Sequence, residues 1–194
     1  MKKIKIALLL STVVLASCAK DYDVIMDDAG HPHYTTKLQD DTKGRDVFPK
    51  TRAATGEKVF IFDPNEDAWA AYAADGQRVM TGRASGGADT CPDKPSKSCR
   101  TVTGVYRVLD KKGPDCHSNE FPAATHGGAR MPYCMHFHNG FAIHAAYDVP
   151  NHNASHGCIR VLPGAAKWLN QDFMELGTKV VVLAYNTPDD KPLE

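Results

Sequence analysis

The sequence predicts a mostly β domain on three observations: short apolar runs rich in β-branched and aromatic residues, Asp-Gly and Asn-Gly pairs between such runs, and a single stretch of helical periodicity. Val59-Phe60-Ile61-Phe62 is the first run, closed by the turn signal Asp63-Pro64-Asn65. Trp69 to Ala73 reads as a second strand, and Asp75-Gly76 as a hairpin returning through Arg78-Val79-Met80-Thr81. Ser85-Gly86-Gly87 and a loop rich in Pro, Lys and Ser then lead to a strand over Thr103 to Leu109. A long loop from Asp110 to about Met135 follows, and Asn139-Gly140 turns the chain into Phe141-Ala142-Ile143-His144. Ala165, Trp168, Leu169, Phe173 and Leu176 recur at helical spacing, Gly177 ends that helix, and Lys179 to Ala184 closes the domain.

At 194 residues and 42% hydrophobic, the chain has the length for one sizeable core. Lys plus Arg equals Asp plus Glu at 23 each, so no basic excess calls for nucleic acid as a partner. Residues 1–18 read as an export signal: Lys2, Lys3 and Lys5 form a basic start, and Ile6 to Leu15 an apolar run too short to span a bilayer. The ending Leu15-Ala16-Ser17-Cys18 resembles a bacterial lipobox, which implies lipid on Cys18 and a membrane anchor built from several acyl chains. Ala19 follows Cys18 where an aspartate would suggest retention at an inner membrane, so the expected location is the periplasmic side of the outer membrane. Residues 19–57 are polar and turn-rich and read as a tether with a reach of about 35 Å as a coil. The alternative is that part of this stretch wraps the domain through Val47 and Phe48. The domain is expected over 58–185, with a polar tail over 186–194.

Export places the six cysteines in an oxidising compartment. With Cys18 assigned to lipid, Cys91, Cys99, Cys116, Cys134 and Cys158 remain, an odd number. Spacing favours Cys91 with Cys99 and Cys116 with Cys134, since each pair lies within one loop-rich segment; each closure contributes about 2.5–3 kcal/mol on chain-entropy grounds. Cys158 is left as a free thiol. It stands in Ala154-Ser155-His156-Gly157-Cys158-Ile159-Arg160-Val161, where the glycine is a poor core element and a useful neighbour for a nucleophile. No Cβ obstructs an approaching carbonyl, and the amides of Gly157 and Cys158 are candidate donors to an oxyanion. A thiol needs a base at neutral pH, and His144 and His156 both stand within reach in sequence.

Ser155-His156-Gly157-Cys158-Ile159-Arg160, preceded by Phe141-Ala142-Ile143-His144, resembles the active-site signature of the L,D-transpeptidases, the YkuD-type catalytic domain. The likeness runs from about Lys58 to Leu183 and includes Ser85 to Gly87, Thr101 to Gly104 and the closing Gly177-Thr178-Lys179-Val180-Val181-Val182-Leu183. It implies a β-sandwich or mixed-sheet domain with one or two short helices, acting on peptidoglycan stem peptides without a cofactor. It further implies Cys158 as nucleophile and His144 as proton acceptor and donor. His156 would support the cysteine's surroundings, Ser155 hold the turn, and Arg160 anchor the loop or attract substrate carboxylates.

Two other readings stay open: a hydrolase on the same scaffold, either carboxypeptidase or wall-lipoprotein amidase, and a non-catalytic wall-binding lipoprotein. His117, His126, His136, His138 and His152 stand beside Cys116 and Cys134 as candidate metal ligands, but none of these falls at a paired ligand spacing, so no metal is expected. The chain is read as a monomer.

Overall fold

The computed structural model describes residues 22–26, 32–36, 47–122 and 125–186. Its strands are β1 (Tyr22–Met26), β2 (Pro32–Thr36), β3 (Val59–Asp63), β4 (Ala68–Tyr72), β5 (Arg78–Ser85), β6 (Gly104–Arg107), β7 (Asp110–Lys111), β8 (Met135–His138), β9 (Phe141–Ala145), β10 (Ile159–Val161) and β11 (Lys179–Val182). Between β10 and β11 lie α1 (Pro163–Trp168) and a π-helical turn over Leu169–Phe173. Cys18 and the export signal lie outside the described residues, as does 187–194 of the expected tail.

Nine strands form one mixed sheet in the order β6-β11-β3-β4-β5-β10-β9-β8-β7. The apolar run Val59 to Phe62 sits in the middle of its first half and is buried on both faces, which is why it reads as continuous rather than alternating. Phe60 and Phe62 face the main core with Trp69, Met135, Ile143, Ile159, Leu169 and Val180. Val59 and Ile61 face the opposite way, with Ala68, Ala70, Tyr72 and Phe48. The sheet curls until Tyr106 of β6 meets Phe137 of β8, with ring centroids 5.6 Å apart. Two turns behave as their residues require: Gly76 has φ +86°, and Asn139 and Gly140 have φ +32° and +85° between β8 and β9.

Three expectations need correction. The chain from Val47 to Glu57 is part of the domain, not tether: Phe48 is buried, Thr51 bridges Gln77, and the Tyr72 hydroxyl donates to the Pro49 carbonyl at 2.8 Å. Further back, β1 and β2 pair as antiparallel strands where no sequence period is visible. The helix predicted through Leu176 stops at Phe173, and Leu176 is exposed while Phe173 and Leu169 are buried. Asn170 explains the widened turn. Its side-chain amide is buried and donates to the carbonyls of Lys112, Tyr133 and Cys134, tying the helical segment to the loop before β8.

Glu57 locks the start of β3 against two neighbouring strands, pairing with Arg107 of β6 at 2.7 Å and with Lys179 of β11. The hydrogen bond from Arg107, then that from Lys179, holds its carboxyl at about 2, below the ordinary 4.5. A depressed carboxylate contributes stability fully above its ordinary value and loses it as pH falls toward the folded value. Wild type should therefore exceed Glu57→Gln in urea midpoint at neutral pH, with the gap closing between about pH 4.5 and about pH 2. A gap of constant size across that range would assign the effect to packing instead of charge.

Candidate functional site

β10 pairs with β9 in parallel, with Arg160 opposite His144 and Ile159 opposite Ile143. Paired residues in a sheet share a face, and residues two apart along an extended chain do too. His144, Arg160 and Cys158 therefore project to one side, while Ile143, Ile159 and Val161 enter the core. That side is the floor of a cleft of about 930 Å³, whose walls come from residues 117–121 and 129–132 of the loop before β8, from Ala145 at the end of β9 and from 146–148 after it. Ser155 and His156 also line it.

The turn that carries Cys158 is held from beneath. Ser155 Oγ accepts the Gly157 N–H at 3.0 Å and donates to the Cys158 carbonyl at 2.6 Å. The Gly157 amide is thus spent on Ser155, which corrects its expected part as an oxyanion donor; of the two amides considered, that of Cys158 remains. Gly157 has φ +128°, and a Cβ there would meet Phe141 Cε1 at 2.6 Å, so only glycine fits. The Ser85-Gly86-Gly87 segment supports the same turn: the Gly86 carbonyl accepts from the amides of Ala154 and Ser155, and the Ser155 carbonyl accepts from the Ala88 amide. A Cβ on Gly87 would lie 1.8 Å from the Cys99 carbonyl oxygen.

Cys158 is half-buried, packed beside Ala142 and the Cys116–Cys134 pair. Desolvation pushes its thiol up, against the Ala142 backbone N–H and the Arg160 charge, which pull it down. The resting sulfur is a thiol, so a base is needed to make it a nucleophile. His144 is buried and its Nδ1 lies 2.9 Å from the Ala145 carbonyl oxygen. A carbonyl can only accept, so Nδ1 carries the proton and Nε2 holds the lone pair that a general base requires.

His156 is engaged elsewhere in the cleft wall. Its Nε2 is 3.0 Å from Asp93 Oδ1, and its ring stacks on Phe121 with centroids 4.5 Å apart. Asp93 lies in the loop closed by Cys91–Cys99, and Phe121 in the loop closed by Cys116–Cys134. The structure thus forms both pairs that spacing favours, and Cys158 is the free cysteine among the described residues. Arg160 Nη1 stands 3.7 Å from Asp148 Oδ2, an exposed carboxylate that leaves the guanidinium accessible from the cleft. Sequence reasoning missed Asp93, Phe121 and Tyr185. It quoted Thr101 without a role, although Thr101 is almost fully buried and touches the nucleophile's turn. Among the described residues, no group of three or more His, Cys, Asp or Glu is placed to hold a metal ion.

A model of the L,D-transpeptidase catalytic domain family, YkuD, matches residues 57–182. No curated protein matches the sequence. Among solved structures, an L,D-transpeptidase from Xylanimonas cellulosilytica aligns at 26% identity with a TM-score of 0.58, covering 72% of this chain and 67% of that one. An L,D-transpeptidase from Mycobacterium smegmatis aligns at 20% identity and TM-score 0.53, over 66% and 59% of the two chains. L,D-transpeptidase 3 from Mycobacterium tuberculosis, solved with a faropenem-derived adduct, aligns at 20% and 0.52, over 66% and 60%. The chain thus spans about three fifths of the two mycobacterial structures.

Unreduced protein treated with iodoacetamide should carry its label, among the described cysteines, on Cys158. The rate should keep climbing above the pH at which an ordinary thiol, pKa about 8.5, is half ionised. A label on Cys116 or Cys134 would overturn the pairing. A plateau near neutral pH would overturn the desolvated thiol.

Proposed function

The chain belongs to the L,D-transpeptidase catalytic-domain (YkuD) family, and on that premise we propose that it is a cysteine acyltransferase that cross-links peptidoglycan stem peptides. The observation that carries this reading is the common face of Cys158, His144 and Arg160 in one cleft, with His144 Nδ1 tied to a carbonyl. His144 Nε2 takes the thiol proton as Cys158 Sγ attacks the carbonyl carbon preceding a terminal D-residue. The Cys158 N–H meets the oxyanion. The C–N bond then breaks, the departing amine takes the proton from His144, and a thioester remains on Cys158. An acceptor amine gives its proton to His144 and attacks the thioester carbonyl, and the sulfur leaves and is reprotonated. Arg160 offers a planar fork of donors to a substrate carboxylate.

Purified protein incubated with tetrapeptide muropeptides should release the terminal D-residue and form a cross-linked dimer visible by mass. Tripeptide alone, with no dimer, would assign the protein to hydrolysis. His144→Ala should lower acylation of Cys158 by about 10²–10⁴-fold, the usual contribution of a general base. His156→Ala should retain partial activity, because its ring is held by Asp93 and Phe121. The reverse ranking of these two variants would reassign the base.

We also propose export and lipid anchoring through Cys18 on the periplasmic side of the outer membrane, supported by the lipobox-like Leu15 to Cys18. Cys18→Ala should change both detergent partitioning and the mature mass; if both stay the same, the anchor reading is wrong.

A further inference from the structure

Behind the nucleophile's turn, Thr101 makes three hydrogen bonds from an almost fully buried position. Its Oγ1 donates to the Gly157 carbonyl at 2.8 Å and accepts the Gly87 N–H at 2.9 Å, and its own N–H donates to the Tyr185 hydroxyl at 3.0 Å. Thr101 is 56 residues from Gly157, and Tyr185 is 84 from Thr101. The chain Tyr185, Thr101, Gly157 therefore crosses three distant parts of the sequence to reach one peptide group.

That peptide group is the one that matters. The Gly157 carbonyl and the Cys158 N–H belong to the same planar trans unit, so they point in opposite directions. Fixing the carbonyl on Thr101 Oγ1 fixes the Cys158 N–H on the side away from Thr101. Gly157 has the conformational freedom to turn this plane, because at φ +128° it sits where other residues are strained. Ser155 restrains the two neighbouring peptide groups, through the Gly157 N–H and the Cys158 carbonyl, but it makes no bond to this one. We propose that Thr101, backed by Tyr185, is a positioning residue that aims the Cys158 N–H at the oxyanion. This inference rests on Cys158 being the acylated nucleophile.

Two reactions at the same sulfur separate aim from structure. Alkylation by iodoacetamide displaces iodide at an sp³ carbon and forms no oxyanion. Acylation by faropenem, the compound behind the adduct on L,D-transpeptidase 3 of Mycobacterium tuberculosis, passes through one. There Sγ adds to the lactam carbonyl, the C–N bond opens, and the nitrogen takes the proton. Thr101→Val keeps the shape and removes the hydroxyl. It should slow faropenem acylation by about 10- to 100-fold, less than or equal to the loss of a whole oxyanion donor, while leaving the rate and pH profile of alkylation unchanged. Thr101→Ser should restore most of the acylation. Tyr185→Phe, which removes the acceptor of the Thr101 N–H and spares the hydroxyl, should lower acylation by a smaller factor and leave alkylation alone. Equal falls in alkylation and acylation would show a merely structural role and overturn the inference, as would acylation of Thr101→Val and Tyr185→Phe at the wild-type rate. Wild-type protein that is alkylated at Cys158 but not acylated by faropenem would instead overturn the nucleophile reading, and this inference with it.

Discussion

The parallel pairing of β10 with β9 is the constraint on which the site depends. Side chains alternate along a strand, so a slip of one residue in this pairing would send His144 or Arg160 into the core and bring an isoleucine into the cleft. The register is held against that slip by burial: Ile143, Ile159 and Val161 are all fully enclosed, and exposing any one of them costs about 1.5–3 kcal/mol. β5 adds a second guide on the other edge of β10, pairing Arg160 with Ser85 and Val161 with Ala84. The short β10 strand, three residues long, is therefore specified from both sides.

Beyond the sheet, the nucleophile's turn is a local problem in polar accounting. A bend that brings Ser155 and Gly157 under cover buries backbone groups that must find partners or cost about 1–3 kcal/mol each. Two hydroxyls supply those partners. Ser155 satisfies one amide and one carbonyl within the turn, and Thr101 satisfies the carbonyl between them from outside it. The consequence for chemistry is directional: each backbone group assigned to a hydroxyl is withdrawn from substrate.

These relations mark where sequence reasoning reaches and where it stops. The buried run Val59 to Phe62, the Asp-Gly and Asn-Gly turns and the two short-range cysteine pairings were legible because each is a local pattern. The free cysteine was legible by counting, His156 was noticed as a neighbouring imidazole, and Ser155 and Arg160 entered only through the resemblance of the surrounding motif. Asp93 was not: its bond to His156 spans 63 residues, and it sits among prolines, lysines and serines that read as solvated loop. Thr101 and Tyr185 were hidden for the same reason, since a buried hydroxyl looks like any other threonine until the fold shows its partner. The fate of the Gly157 amide was misread because two competing acceptors, a substrate oxyanion and the Ser155 hydroxyl two residues away, are equally compatible with the sequence. Over 47–57 the sequence left tether and wrapping through Val47 and Phe48 both open, because a single buried Phe48 leaves no period to decide between them.

Burial pushes the Cys158 thiol up, and this bears on its reactivity. Thiolate is the form that oxidants attack, so desolvation that pushes the Cys158 thiol up disfavours the form open to them and to stray electrophiles. On the proposed mechanism that proton needs an outlet, and with Nδ1 tied to the Ala145 carbonyl it is His144 Nε2 that would accept it. The cost is that deprotonation must be coupled to attack, so the geometry has to be right at the moment a substrate arrives. The fold meets that demand with rigid parts: an imidazole on a buried strand, a turn clamped by two hydroxyls, and two disulfide-closed loops that meet at His156 through Asp93 and Phe121.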